Sequence, residues 1–157
     1  MASYDSTDRA ILARLQEDGR IANVDLAEAV ALSPSACLRR VRALEQDGLI
    51  AGYRAELDRA RLGLDLTVFI ELKVERHSRE TAASVESALT EIPEVVACHV
   101  VSGAADFLVE VAVANLVSYE RLLIDQILTI PSVVDAHSTF AIRTVKTRGP
   151  LPVSQLH

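Results

Sequence analysis

Three arginines, Arg39, Arg40 and Arg42, crowd into four consecutive positions of a stretch that carries no acid before Glu45. Guanidinium groups gathered this closely suit the phosphates and guanine edges of duplex DNA, although an arginine-rich surface can also be simply solvated. A second constellation offers different chemistry. Gly103 frees the backbone to turn tightly or to approach another group closely, and Asp106 places an anion three residues on. Residues 103–106 (GAAD) also suit a plain hairpin turn with an exposed aspartate.

The arginines require a helix to present them. Between residues 34 and 46, at about 100° per residue, Cys37, Leu38, Val41 and Leu44 fall on one side while Ser35, Arg39, Arg42 and Gln46 fall on the other. Ser33 can cap the first free amides, Pro34 fits the first helical position, and Gly48 marks the stop. The preceding segment reads as a shorter helix with Asn23 as its cap, Asp25 in its positive first turn, and Leu26, Ala27 and Val30 inward. Leu32 would fill the corner between the two. Residues 5–18 bring Ile11, Leu12 and Leu15 to helical spacing, and residues 49–57 (LIAGYRAEL) read as a short apolar strand or wing. Three helices and a wing make a winged helix-turn-helix, which seats its second helix of the pair in the DNA major groove.

Composition narrows the alternatives. The 157 residues suit one or two domains, and half of them are hydrophobic. Net charge is -6, so the whole molecule is no basic nucleic-acid coat, and any DNA binding must rest on a local patch. No apolar run is long enough to span a membrane and the N-terminus lacks the pattern of a signal peptide, so a cytoplasmic protein without membrane contact is expected. Cys37 and Cys98 lie in what read as different domains, and both are expected to serve as small apolar residues.

After a polar stretch over residues 58–64 with Gly63 as a hinge, the periodicity changes. Val68, Ile70, Leu72 and Val74 alternate with Thr67, Phe69, Glu71, Lys73 and Glu75, as in a strand with one buried face. A helix over residues 79–91, strands over 95–102 and 106–113, a helix capped by Ser118 through Leu128, and a last strand over 133–146 complete the order βαββαβ. An internal echo supports this order, because Ile92-Pro93-Glu94-Val95-Val96-Ala97-Cys98-His99 returns 38 positions later as Ile130-Pro131-Ser132-Val133-Val134-Asp135-Ala136-His137. Proline ends each helix and paired valines start each strand, so two βαβ halves can pack as a ferredoxin-like sandwich. Two helices cover only one face of four strands. By parity the other face carries Phe69, Val101 and further apolar groups, and a second copy is expected to hide it.

The fold class expected is therefore α+β, an N-terminal winged helix-turn-helix followed by a C-terminal ferredoxin-like βαββαβ sandwich. The boundaries read as 1–57 for DNA binding, 58–64 for a linker, 65–148 for ligand binding and oligomerisation, and 149–157 for a tail. His99 and His137 occupy equivalent places in the repeat, but neither has a neighbouring Cys or His at ligand spacing, so no metal is expected. No GxSxG, Walker loop, HExxH or CxxC occurs, and no cofactor or enzymatic activity is expected.

The segments DSTDRAILARLQEDGRIANVDLAEAV, LSPSACLRRVRALEQDGLIAGY, CHVVSGAADFLVEV and IPSVVDAHSTFAIRTVK together resemble the Lrp/AsnC family of feast/famine transcription regulators, nearly end to end. The resemblance implies binding to double-stranded DNA, dimers joined through their sheets that assemble into tetramers or octamers, and a small effector, usually an amino acid, between dimers. By position it makes Ser33, Ser35, Ala36, Arg39, Arg40 and Arg42 the DNA contacts. It places the effector against Val100, Ser102, Gly103, Ala104, Asp106 and Thr139. Ala31 stands where many relatives have a turn glycine, which implies a cost of roughly 1 kcal/mol if the backbone is left-handed there. Ala104 and Ala105 replace an acid and a bulky aromatic, and Thr139 replaces a tyrosine, so leucine is not implied as the effector. Sirohaem decarboxylases resemble the same family in both domains. An enzyme on this scaffold is the alternative reading, and Arg39, Arg40 and Arg42 favour the regulator.

Overall fold

The computed structural model describes residues 4–75, 78–147 and 149–156, which fall into two compact units. The first runs to Glu56 and takes in the chain from Lys146 onward; the second is Leu57–Val145.

Helix α1 of the first unit (Ser6–Glu17) starts where Asp5 accepts the amides of Thr7 and Asp8 while the Asp8 carboxylate accepts the Asp5 N–H, a reciprocal capping box. Ile11 and Leu12 point into the core, where they meet Leu26 and Ala27 of α2 (Asn23–Ala29) and Cys37 and Leu44 of α3 (Pro34–Gln46). Ser33 accepts the Ala36 amide and Pro34 opens α3, as the sequence predicts. Asn23 differs from expectation. Helix α2 begins at Asn23 itself, after Ala22 with no side-chain cap, and the Asn23 amide instead donates to the Pro34 carbonyl at 2.9 Å. That bond ties the start of α2 to the start of α3. Residues 49–57 form no strand, because no partner strand lies beside them in the described chain, and Tyr53 is instead held by its hydroxyl on Glu45.

The segment set apart in the sequence as a tail packs onto α1. Val153 and Leu156 join the apolar cluster around Ile11, and the Arg9 guanidinium donates to the Leu156 carbonyl at 2.9 Å.

The second unit is one antiparallel sheet of β1 (Leu66–Val74), β2 (Val95–Val100), β3 (Phe107–Val113) and β4 (Val133–Phe140) in the order β2-β3-β1-β4. Helices α4 (Arg79–Thr90) and α5 (Leu116–Leu122) supply Val85, Leu89, Tyr119 and Leu122 to a core against Val68, Ile70, Leu72, Phe107, Val109 and Val111. The alternation expected in β1 holds, with Phe69, Glu71 and Lys73 exposed on the open face. That face is more mixed than parity alone suggests: the register sets Phe69 opposite Glu110 and Thr139, Glu71 opposite Leu108 and His137, and Lys73 opposite Asp135.

Two boundaries shift for local reasons. Helix α5 is capped by Asn115, whose side chain accepts the Ser118 amide at 2.9 Å, three residues before the predicted cap. It passes into a single π-turn over Leu123–Ile127. Strand β4 stops at Phe140 rather than near Lys146, because Phe140 pairs with Val68 and β1 has only two residues before that. Beyond the bond from the Ala141 N–H to the Thr67 carbonyl the pairing ends among the described residues, and Ile142 is fully exposed.

Candidate functional site

Helix α3 divides its surface by angle. Cys37 and Leu44 are buried, whereas Ser33, Ser35, Arg39 and Arg42 are exposed and Ala36 is half-buried. Arg39 and Arg42 form no ion pair or side-chain hydrogen bond among the described residues, so two exposed cations stand on one outward face. Leu38, placed with the core by periodicity, sits on the flank at 38% exposure.

Arg40 departs from the expectation that groups it with its neighbours. Its Nη1 donates to Asp8 Oδ1 at 2.8 Å and lies 2.9 Å from Asp5 Oδ2, so both carboxylates of the α1 capping box converge on it. The hydrogen bond from Arg40 to Asp8, then that to Asp5, pushes the guanidinium pKa up from its ordinary value. The Asp5 carboxyl is held below its usual range chiefly by the Asp8 backbone N–H; desolvation opposes this, and the Arg40 guanidinium adds to the lowering. Asp5 and Asp8 are the partners of Arg40 that a reading of motifs overlooks.

The effector-loop residues come together only in part. Val100 ends β2, Ser102, Gly103 and Ala104 form an exposed turn, and a bond from the Val101 N–H to the Asp106 carbonyl at 2.9 Å closes the loop. Gly103 has φ +128°, a conformation that favours glycine, and nothing crowds the place where a Cβ would sit. Asp106 is half-buried. Its carboxylate accepts the Val74 N–H at 2.9 Å and its own N–H donates to the Leu72 carbonyl, so it fastens the loop to the end of β1. Thr139 lies elsewhere, exposed on β4 opposite Phe69, which is three residues along β1 from Leu72. One chain therefore does not gather all six residues around a single point.

The remaining candidates carry no activated group. Burial pushes up the thiols of Cys37, which is fully enclosed, and Cys98, where the Glu86 charge adds to the effect. A thiol raised in this way is a poor nucleophile. His99 and His137 are both exposed on the sheet, and among the described residues no three His, Cys, Asp or Glu side chains converge to hold a metal ion.

Residues 4–51 match the family model for winged helix-turn-helix DNA-binding, and residues 67–151 match that for the Lrp/AsnC ligand binding domain. The second match alone spans more than half of the chain. The chain belongs to the Lrp/AsnC family. It is a DNA-binding transcription regulator of the Lrp/AsnC type with a C-terminal ligand-binding domain. Its Lrp/AsnC relatives include the leucine-responsive regulatory protein of Klebsiella pneumoniae, 39% identical over 149 residues that cover 95% of this chain and 91% of the relative. The protein of the same name from Escherichia coli K12 is 38% identical with the same coverage. Among solved structures, an L-Met complex of a transcriptional regulator from Neisseria meningitidis superimposes with a TM-score of 0.92 at 34% identity, covering 96% of this chain and 97% of that one. An AsnC family regulator from Agrobacterium tumefaciens gives 0.91 at 35% identity, covering 96% and 98%. No described helix of this Lrp/AsnC protein is long and apolar enough to cross a membrane.

Proposed function

We propose that this regulator reads double-stranded DNA through the outward face of α3 and changes its DNA affinity or assembly when it binds an amino acid. The observation that carries the reading is the pair Arg39 and Arg42, exposed on one side of a capped helix with no acid engaged to either among the described residues. Ser33, Ser35 and Ala36 lie at the N-terminal end of that helix, where small side chains let phosphate or base edges approach without steric cost. A symmetric dimer would present two such helices to successive half-sites and double a charge patch that is modest in one copy.

Val100, Ser102, Gly103, Ala104 and Asp106 form one wall of the effector site in this proposal, and Thr139 comes from another subunit, since one chain holds it apart from the loop. The open sheet face carries Phe69 and Leu108 among charged groups, and we place the dimer contact there, with dimers joining into a tetramer or octamer. The neisserial relative's complex with L-Met supports an amino acid as effector. Regulation is the protein's whole activity on this reading, exercised in the cytoplasm without catalysis.

Two experiments test it. Duplexes from the gene's own upstream region are titrated with the protein at low salt, and a specific shift is expected; absence of any shift with every amino acid present ends the proposal. A thermal-shift screen of the amino acids, Leu and Met included, is expected to give at least one stabilising hit.

A further inference from the structure

The three arginines of α3 do not share one task. Taking the direction of the Cys37 side chain as reference and about 100° per residue, Arg39 and Arg42 point away from the core, while Arg40 lies only about 60° from Cys37 and about 40° from Leu44. Its burial agrees, for it is half-buried where Arg39 and Arg42 are exposed. An arginine on the shoulder of a core helix needs an anion, and α1 provides two.

The more buried of these, Asp8, is the one charged residue of the described chain in the buried class, with its side chain 13% exposed. Its Oδ2 accepts the Asp5 N–H and its Oδ1 takes Arg40. Asp5 uses Oδ1 on the amides of Thr7 and Asp8 and Oδ2 on Arg40. The first turn of α1 and the middle of α3 are thus locked by the same two carboxylates. Charge-assisted bonds are directional, so the lock fixes how far α3 can rotate about its axis, and that rotation decides where Arg39 and Arg42 point.

We infer that Arg40 is a positioning residue for DNA reading: the Arg40–Asp8–Asp5 bridge orients α3 on α1, and Arg40 itself touches no DNA. The inference rests on the proposed reading of α3 as the DNA-facing helix.

Its test uses the full chain, with Arg40→Gln, Asp8→Asn, their double variant and Asp5→Asn. Asn caps a helix as well as Asp, so Asp5→Asn removes the charge opposite Arg40 while sparing the cap. Hydrogen exchange of the α3 amides is measured without DNA, and Kd for an upstream duplex is measured across a salt series. Each single variant is expected to lower α3 protection and weaken DNA binding by about tenfold, with the double variant no weaker than the worse single. The slope of log Kd on log salt is expected to stay at the wild-type value for Arg40→Gln. A slope reduced by about 1 would mean that Arg40 neutralises a phosphate. DNA binding by Asp8→Asn or Asp5→Asn as tight as wild type or tighter would overturn the inference, because freeing a DNA-contacting Arg40 from its acids would help binding. If the wild type binds no duplex, the reading of α3 fails instead, and the exchange data still decide the lock: unchanged α3 protection in Arg40→Gln sinks it.

Discussion

Gln16 and Leu151 hold each other twice: the Leu151 N–H donates to Gln16 Oε1 at 2.6 Å, and Gln16 Nε2 donates back to the Leu151 carbonyl at 3.2 Å. A side-chain amide used in this way completes a strap, since Val153 and Leu156 beyond it pack on the cluster around Ile11 and Leu12. Neutral hydrogen bonds are each worth about 0.5–1.5 kcal/mol net, and the Gln16 pair is exposed, so the lower half of that range applies. Gln16→Ala is expected to destabilise the first unit by about 1 kcal/mol in urea denaturation, and Leu156→Ala by a similar amount through lost burial. A Gln16→Ala protein with an unaltered unfolding midpoint would mean that the Gln16–Leu151 pair contributes nothing to stability.

Ala31 adopts φ 54° at the turn between α2 and α3, where the Leu32 N–H closes on the Ala27 carbonyl. The left-handed conformation costs an L-residue about 1–2 kcal/mol, whereas glycine's extra freedom in the unfolded chain costs about 0.4–1 kcal/mol. The first effect is the larger, so Ala31→Gly is expected to raise stability by up to about 1 kcal/mol, seen as a rise in Tm of the first unit. Ser132, at φ 75° before β4, offers a second site for the same comparison. A lowered Tm for Ala31→Gly would show that the surrounding turn already absorbs the strain.

What the sequence made legible, and what it hid, follows from range. Ser33, Pro34 and Gly48 announce the ends of α3 because caps and stops act within one turn, and the alternation through Val68, Ile70, Leu72 and Val74 fixes the buried face of β1 because the pleat has a period of two. Arg40 is adjacent in sequence to Arg39 and Arg42, but its angle beside Cys37 and Leu44 sets its guanidinium against a buried acid. Which acid it was could not be read, since Asp8 lies 32 residues away. Asn23 and Ser118 failed as caps for a related reason: each is a good capping residue, but Asn23 serves Pro34 and Asn115 reaches the Ser118 amide first. The end of β4 depends on where β1 begins, a pairing that no pattern within β4 encodes. Within one chain the sheet order β2-β3-β1-β4 sets Thr139 apart from the loop, a separation that follows from strand pairing and not from any local pattern.

Asp106 serves the fold and, in the proposed function, the effector. Its Oδ2 accepts the Val74 N–H, and an asparagine side chain retains an oxygen for that bond while losing the charge. Asp106→Asn is therefore expected to keep the fold but weaken amino-acid binding by about tenfold or more, the usual loss of a hydrogen bond to a charged partner. The thermal shift produced by the best amino-acid hit is the measurement. A shift of undiminished size in Asp106→Asn would place the ammonium group elsewhere.

Asp5 makes the first unit sensitive to acid in a direction that can be worked out. Its folded carboxyl is held below the ordinary value by the Asp8 backbone N–H first and the Arg40 guanidinium next, whereas in the unfolded chain it titrates near about 3.9. A group with a depressed folded pKa contributes stability that is fully present above the unfolded value and is lost as pH falls through the folded one. Asp5→Asn cannot titrate and lacks that contribution throughout. Wild type is thus expected to exceed Asp5→Asn in stability from pH 7 down to about 5, with the gap closing below about pH 4. Because Asp5 is half-exposed, with 51% of its side chain accessible, added salt should shrink the gap as well. Denaturant midpoints at pH 7, 5, 4 and 3, at low and high salt, supply the comparison, and exchange of the β1 amides in the second unit serves as an internal control. A gap that persists unchanged at pH 3 would show that the Asp5 charge is not its cause and remove that charge from the account.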